Sequence, residues 1–485
     1  MKPKDSTGKE VAANKEDVLD ASTLFIGFSG SLGSGCTFLA QGIQTMLRDT
    51  CHYYRLSDIL REEAKARGIK KLTTSKLQDL GNELRADNVS ILAQNTLERI
   101  KEDALKNADL YRSDKSVIVL DGIRNDGEVR YFRQYPNFYL ISVHASRETR
   151  KKRLVGDTPE QRFRTEKSFE DADRRDESED IPRGQQVRLC NYLADIIIDN
   201  NKDYPTEARA ERDKYLSDIV HDYVGPIQAV RNREKLASDR PPSLDETLMT
   251  MAYCMSKKSS CLKRKVGAVV AYVEGFTRLQ GSDPRKDAGM RFQVVSAGYN
   301  DVPLGSPPCV FTDYAKCYRE YLQELQAKKV RACPRCGEKV PKKVVCPHCG
   351  TARNPVFADK CVKCNATIQP YKCKNCRVDV FDMLVPRDNQ SSSKLLDMCR
   401  SLHAEENGII GLAGVAKTGN GRLVLYTTTY PCNLCANKIV AAGIEEVVFA
   451  EPYTIREAEK ILDAGGVNVQ KFQGIKSTAY FRLYS

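Results

Sequence analysis

Short continuous apolar runs punctuate the first two hundred residues. Leu24-Phe25-Ile26-Gly27-Phe28, Val117-Ile118-Val119-Leu120-Asp121 and Phe138-Tyr139-Leu140-Ile141-Ser142-Val143 each carry too few polar positions for a strand wetted on one face. Ala194-Asp195-Ile196-Ile197-Ile198-Asp199-Asn200 is a fourth such run. Helical stretches separate them, the first starting at about Thr37, and strands alternating with helices predict a parallel α/β sheet. Residues 147–190 are densely charged, and a charged helical connection runs from about Thr206 to Lys235. Arg240-Pro241-Pro242-Ser243 then marks a boundary. Beyond it a helix is expected from Leu244 to about Ser260, with strands at Val266–Ala271 and Phe292–Ala297. The pattern resumes near Leu395 with a helix through His403, a strand Leu423–Thr427, a helix Asn433–Ala442 and a strand Glu446–Phe449. This gives a flexible tail over 1–20, one α/β domain over 21–235 and a second over 236–485, the latter interrupted by an insertion at 328–380.

Composition adds the compartment and the charge. No run approaches the roughly 18 apolar residues of a membrane helix, and Met1-Lys2-Pro3-Lys4-Asp5 opens no secretory signal, so a cytoplasmic enzyme is expected. Ten of the 18 cysteines fall in five C-x-x-C pairs, which favours metal thiolates in a reducing compartment over disulfides. The net charge is +12, and 13 Lys or Arg against Glu338 and Asp359 place +11 of it between Lys328 and Arg377. A charge of that sign suits nucleotides or nucleic acid.

The chemistry concentrates at His403-Ala404-Glu405 and Pro431-Cys432-Asn433-Leu434-Cys435. One imidazole and two thiolates, His403, Cys432 and Cys435, make three zinc ligands and leave the fourth position for water, as in catalytic zinc sites. The metal lowers the pKa of bound water to about 7. Glu405 adjoins a ligand without being one, which suits a general acid–base. The combination H-x-E with P-C-x-x-C is the signature of zinc deaminases that attack C4 of cytosine or C6 of adenine. A closed zinc knuckle, with Cys399 as fourth ligand, is the structural alternative. Residues 244–305 and 395–450 resemble the deoxycytidylate deaminases. The likeness rests on Ser259-Ser260-Cys261-Leu262-Lys263-Arg264-Lys265-Val266-Gly267-Ala268, Gly298-Tyr299-Asn300, Pro303-Leu304-Gly305, His403-Ala404-Glu405-Glu406-Asn407 and Tyr430-Pro431-Cys432-Asn433-Leu434-Cys435. The resemblance implies a three-layer α/β/α deaminase fold and frequent homo-oligomers. It also implies that Asn300 holds the deoxyribose 3′-hydroxyl and that the backbone at Ala404 reads the cytosine edge. Arg264 and Lys265 are candidate phosphate contacts, and a solvated strand edge is the equal alternative.

Gly30-Ser31-Leu32-Gly33-Ser34-Gly35-Cys36-Thr37 follows the first strand and opens a helix. It fits the P-loop pattern except that Cys36 replaces the lysine that reaches the β/γ-phosphates. Gly30, Gly33, Ser34, Gly35, Cys36 and Thr37 are therefore candidate nucleotide contacts, with Thr37 and Asp121 as possible magnesium partners and a decayed structural loop as the alternative. Residues 22–200 resemble small nucleoside-monophosphate and dephospho-coenzyme A kinases, with 147–175 as their lid. A degenerate P-loop domain ahead of a deoxycytidylate deaminase domain is similar to the bacterial antiphage dCTP deaminases, which deplete deoxycytidine nucleotides. That resemblance implies dCTP or dCMP as substrate, control through the N-terminal domain and a nucleotide effector at the P-loop.

The insertion carries two further sets of four cysteines. Spacing assigns Cys333, Cys336, Cys346 and Cys349 to one zinc ribbon and Cys361, Cys364, Cys373 and Cys376 to a second. Two Cys₄ zinc sites at about −2 each reduce the local charge from +11 to roughly +7, still enough to grip RNA or DNA phosphates. A solvated knuckle or a spacer against a neighbouring subunit is the plainer reading. Cys309 and Cys317 would support another metal, but their spacing is not diagnostic. Two other functions remain open at this point: a nucleic-acid base deaminase and a non-catalytic nucleotide- or RNA-binding regulator.

Overall fold

The computed structural model describes residues 19, 23–69, 72–111, 116–156, 158, 161–177, 179, 181–203, 208–232, 241–274, 290–306, 308–311, 317, 333, 336–339, 344–346, 349–350, 352–353, 364, 372–377, 399–413, 421–452 and 456–484. The first sheet is built from β1 (Leu24–Ser29), β2 (Cys51–Arg55), β3 (Val117–Asp121), β4 (Phe138–His144) and β5 (Ile196–Asp199), all parallel where they pair. Wholly buried β1 and β3 lie at its centre, with Leu24 to Phe28 in register with Val117 to Asp121. The continuous apolar runs arise because helices cover both faces. One layer packs Ile26, Phe28 and Val119 under the helix Cys36–Leu47, and the other packs Phe25, Ile118 and Leu120 against the helix Ile91–Lys106. The expected helical connection from Thr206 is a helix Arg209–Ile219, a wider turn Val220–Val224 and a helix Gly225–Arg231 with Pro226 in its first turn.

The second sheet contains β6 (Gly267–Glu274), β7 (Arg291–Tyr299), β10 (Arg422–Thr429), β11 (Glu446–Glu451) and β12 (Asn468–Lys471) in the order β12-β11-β10-β6-β7. Within the insertion, β8 (Val344–Val345) and β9 (Ala352–Arg353) form a small antiparallel pair. The helix Leu244–Lys258 covers one face, clamped at its start by reciprocal capping between Ser243 and Glu246. The helices Ala404–Ile410 and Asn433–Ala441 lie on the other face, completing three layers. β13 (Gly474–Ile475) crosses back to pair antiparallel with β5, so the end of the chain completes the first sheet. The helix Ser477–Leu483 that follows buries Ala479 and Leu483 in the first core, while Ile197 of β5 joins the second. The first sheet thus takes strands from both ends of the described chain, and the two cores meet at Ile197 and the helix Ser477–Leu483. Among the described residues no helix is long and apolar enough to cross a membrane.

Candidate active site

His403 was expected within a helix. It instead occupies the N-cap position of the helix Ala404–Ile410, with extended backbone, because Leu402 is held by a bridge to Asp301. Leu395 lies outside the described residues. Close packing sets that helix against β7: a Cβ on Gly298 would lie 2.2 Å from the carbonyl oxygen of Ala404. Glu406 reaches back to accept from the His403 amide (3.3 Å) and pairs with Lys438 of the helix Asn433–Ala441. On that second helix Cys432 is the N-cap and Cys435 sits one turn in, so both thiols face His403. Pro431 stands just before the cap.

The His403 Nδ1 atom lies 3.3 Å from the Sγ atoms of both Cys432 and Cys435. Cys399 is not part of this group. The thiol of Cys435 and then His403 pull the Cys432 thiol down to about 4, against the opposing effect of burial. A thiolate beside an imidazole is the donor chemistry zinc takes, and three protein donors are the number that leaves one position of a tetrahedral zinc to another ligand. Glu405, 4% exposed, lies 3.7 Å from Cys435 Sγ, and burial pushes its carboxyl up to about 6.

Other expected site residues are placed differently. Asn300, 8% exposed, donates to the Arg264 carbonyl (2.8 Å) and accepts from Val266 N–H (2.7 Å), so its amide braces the loop leading into β6. Arg264, half-buried, pairs through Nη2 with Glu451 (2.8 Å). Ala404 is fully buried at the start of the catalytic helix.

The cysteines of the insertion are grouped otherwise than the sequential assignment of ribbons. Cys333 and Cys336 cluster with Cys373 and Cys376, whereas Cys346 and Cys349 cluster with Cys364. Cys361 lies outside the described residues. The outermost pairs form one group that could hold a metal, and Cys346 and Cys349, in the turn of the β8–β9 hairpin, form another with Cys364. Burial raises the Cys309 thiol, as do the neighbouring thiols of Cys261, Cys399 and Cys317, a grouping that sequence spacing could not show.

In the first domain, Gly33 and Gly35 adopt left-handed backbone (φ 81° and 100°) that lets the P-loop wrap. Asn200, at the end of β5, donates to the Ser34 carbonyl (2.8 Å). Cys36 opens the helix, and Thr37 donates to Asp121 (2.8 Å). The charged segment forms two helices, Arg147–Leu154 and Glu166–Glu177, and Leu154, Phe163 between the helices and Phe169 pack with Leu32. Sequence motifs gave no sign of Arg124 or Arg162, nor of Gln78 and Arg85 on or just beyond the helix Thr74–Leu84, all of which line the cavity in front of the loop.

Residues 362–451 match the family model of the cytidine and deoxycytidylate deaminase zinc-binding region, and residues 26–182 match that of an AAA domain. The chain is similar to a deoxycytidylate deaminase of Schizosaccharomyces pombe, 26% identical over 48% of this chain and 44% of that protein. It is also similar to the deoxycytidylate deaminase of Saccharomyces cerevisiae, 22% identical over 76% of this chain and 85% of that protein. It thus spans under half of the first relative and most of the second. A dCMP deaminase of the cyanophage S-TIM5, solved with dCMP and dUMP, aligns at 19% identity over 47% of this chain and 96% of its own, with a TM-score of 0.23. The chain thus carries a region similar to the cytidine and deoxycytidylate deaminase zinc-binding region, with His403, Cys432 and Cys435 grouped as metal ligands within it, and ahead of it a P-loop region similar to an AAA domain.

Proposed function

We propose that this protein hydrolyses deoxycytidine nucleotides, dCTP or dCMP, to the corresponding uracil nucleotides. The observation that carries this reading is the triad of His403, Cys432 and Cys435 with buried Glu405 beside it and a matching deaminase family model. Zinc held by the triad would supply a Lewis acid and a water of lowered pKa. Glu405, with its carboxyl at about 6, exchanges protons near neutral pH. As water adds at C4 of the ring, Glu405 moves one water proton to N3, which keeps it, and then the proton of the added hydroxyl to the amino nitrogen, so that the C4 carbonyl forms as the C–N bond breaks and ammonia leaves. The Ala404 backbone reads the cytosine edge. Asn300 reaches the 3′-hydroxyl through the remaining lone pair of its carbonyl oxygen while keeping its two backbone bonds.

The biological reading is depletion of the deoxycytidine nucleotide pool in antiphage defence, with activity controlled through the N-terminal domain. Control is supported by the order of the domains and by the chain end that joins the deaminase sheet to the P-loop sheet. The basic insertion favours a second reading, deamination of cytosine in nucleic acid. Zinc-loaded protein incubated with dCMP, dCTP, CMP, CTP and a cytosine-bearing oligonucleotide separates the two. Uracil products from deoxynucleotides alone establish the first, and from the oligonucleotide alone the second. A rate unchanged by any added nucleotide ends the regulatory part.

A further inference from the structure

Asn300 stands directly after β7, and its amide closes on the loop before β6. Its Nδ2 donates to the Arg264 carbonyl (2.8 Å), and its Oδ1 accepts from Val266 N–H (2.7 Å). Its backbone is held as well: the N–H donates to the Val266 carbonyl (3.1 Å), and the carbonyl accepts from the Ser259 hydroxyl (2.6 Å). An amide with its nitrogen on a carbonyl and its oxygen on an N–H has one satisfied orientation, since exchanging the two ends would set donor against donor and acceptor against acceptor. The shape of the loop 264–266 therefore sets the Asn300 amide. One residue on, the Asp301 carbonyl accepts from Leu402 N–H (2.9 Å), next to His403. The stretch that carries Asn300 thus lies beside the metal ligands.

That loop is held from a distance. The Arg264 side chain pairs through Nη2 with Oε2 of Glu451 (2.8 Å), the last residue of β11, and β11 lies two strands from β6 in the sheet. Glu451 is 6% exposed and is itself fixed. Its Oε1 accepts from the Tyr253 hydroxyl (2.9 Å) and lies 3.8 Å from the Lys476 ammonium, and its carbonyl accepts from Tyr430 N–H (2.8 Å). A long arginine side chain has many rotamers to lose, and a charge-assisted bond to a fixed carboxylate is what holds it in one. Arg264 thus faces two ways, its guanidinium to Glu451 and its carbonyl to Asn300. Neither Arg264 nor Glu451 belongs to the group of His403, Cys432 and Cys435.

We propose that Glu451 and Arg264 are positioning residues for the sugar of the substrate: Glu451 holds the Arg264 side chain, the Arg264 carbonyl holds the Asn300 amide, and the amide so held selects nucleotides that carry a 3′-hydroxyl. The proposal rests on the reading of Asn300 as the contact to that hydroxyl, and it makes Arg264 act on the sugar and not on a phosphate.

Full-length, zinc-loaded protein is assayed for uracil products from dCMP, dCTP, their 2′,3′-dideoxy analogues and deoxycytidine. The wild type is expected to favour a nucleotide over its dideoxy analogue by about tenfold in kcat/KM, the worth of one hydrogen bond. Asn300→Ala should abolish that preference. Arg264→Met and Glu451→Gln should reduce it severalfold, through a raised KM for the nucleotide that has the hydroxyl, with kcat/KM for the dideoxy analogue and zinc content unchanged. Arg264→Lys, which keeps a cation toward Glu451, should restore most of it. Glu451→Gln keeps an acceptor for the Tyr253 hydroxyl and decides the matter where Arg264→Met fails to fold. A purely structural role would lower both substrates alike and leave the preference intact, and that result would overturn the proposal. So would a change confined to the ratio of dCMP to deoxycytidine, which would make Arg264 a phosphate contact. A preference that survives Asn300→Ala removes the reading of Asn300, and the proposal with it. A wild type that turns over none of these substrates removes the deaminase reading itself, and the proposal falls with that too.

Discussion

Glu405 and Glu406 are adjacent in the sequence and placed in opposite environments. Glu405 is buried against the thiols, and its carboxyl rises to about 6. Glu406 feels some burial, but Lys438 and the His403 amide hold its carboxyl below the ordinary value. On the proposed mechanism the first exchanges protons and the second fixes the position of His403. Glu405→Gln should therefore lower turnover by about 10²-fold or more, the usual contribution of a general acid–base, with zinc content by metal analysis unchanged. A zinc-loaded, fully active variant would remove Glu405 from the chemistry. Lys471 offers a pH prediction. Burial lowers its pKa to about 7 from an ordinary value near 10.5, with Lys476 and Arg264 adding to the shift and Glu451 and Asp199 opposing it. His144 also faces it, and the ammonium sits over the Phe449 ring. Between pH 7 and 10.5 the unfolded chain binds the proton more readily than the folded one, so this group makes stability rise with pH across that window. Lys471→Met should raise the melting temperature at pH 7 and flatten that rise; an unchanged slope between the two pH values would show that Lys471 is not its source.

Among the elements, the legible ones are those whose apolar pattern is dictated by two buried faces or one continuous stripe. β1, β3 and β4 were readable for this reason. β2, reading Cys51-His52-Tyr53-Tyr54-Arg55, and β12, reading Asn468-Val469-Gln470-Lys471, were not, since edge strands alternate with polar residues over too few positions. The cysteine pairing was missed for a different reason. Spacing gives the ligands two at a time but not which pairs meet, and only the fold of the chain decides that. Double substitutions discriminate the arrangements. Cys333→Ser with Cys376→Ser should cost one zinc per chain, and Cys333→Ser with Cys346→Ser should cost two, by metal analysis. The reverse result would restore the sequential pairing. At the contact of β7 with the catalytic helix, Gly298→Ala forces a methyl against the Ala404 carbonyl. A loss of about 1–3 kcal/mol in chemical denaturation is expected, as for overpacked cores, accompanied by reduced turnover because the displaced helix carries Glu405.

At the scale of the molecule, a short length of chain joins the two sheets. Ile475 N–H donates to Glu246 (2.8 Å) at the start of the helix Leu244–Lys258, while its strand pairs with β5. The next residue, Lys476, is 1% exposed and donates to the Tyr192 carbonyl (2.7 Å) of the P-loop domain. Its ammonium also lies 3.8 Å from Glu451, which binds Arg264 and the Tyr253 hydroxyl. The Glu451 carbonyl accepts from Tyr430, two residues before the ligand Cys432, and the Arg264 carbonyl accepts from Asn300. The P-loop domain and the deaminase loops therefore share one buried charge cluster. Removing the Lys476 ammonium takes away the donor to the Asn191 and Tyr192 carbonyls, and a buried acceptor left unpaired costs about 1–3 kcal/mol. Lys476→Met should lower the melting temperature of the whole chain in a single transition. Two separate transitions, with only one displaced, would show that the domains are independent.

What the residues alone determined is the chemistry that depends on local spacing. A ligand one turn from another, a glutamate two residues after a histidine, and glycines where backbone must wrap an anion are properties of a few consecutive positions, and they were readable as such. What only the tertiary structure decided is which distant groups meet: Cys333 with Cys376, Arg264 with Glu451, Gln78 and Arg85 with the P-loop, and the end of the chain with β5. Those contacts are made by side chains far apart in the sequence, and burial, which no spacing rule contains, sets both their partners and their protonation.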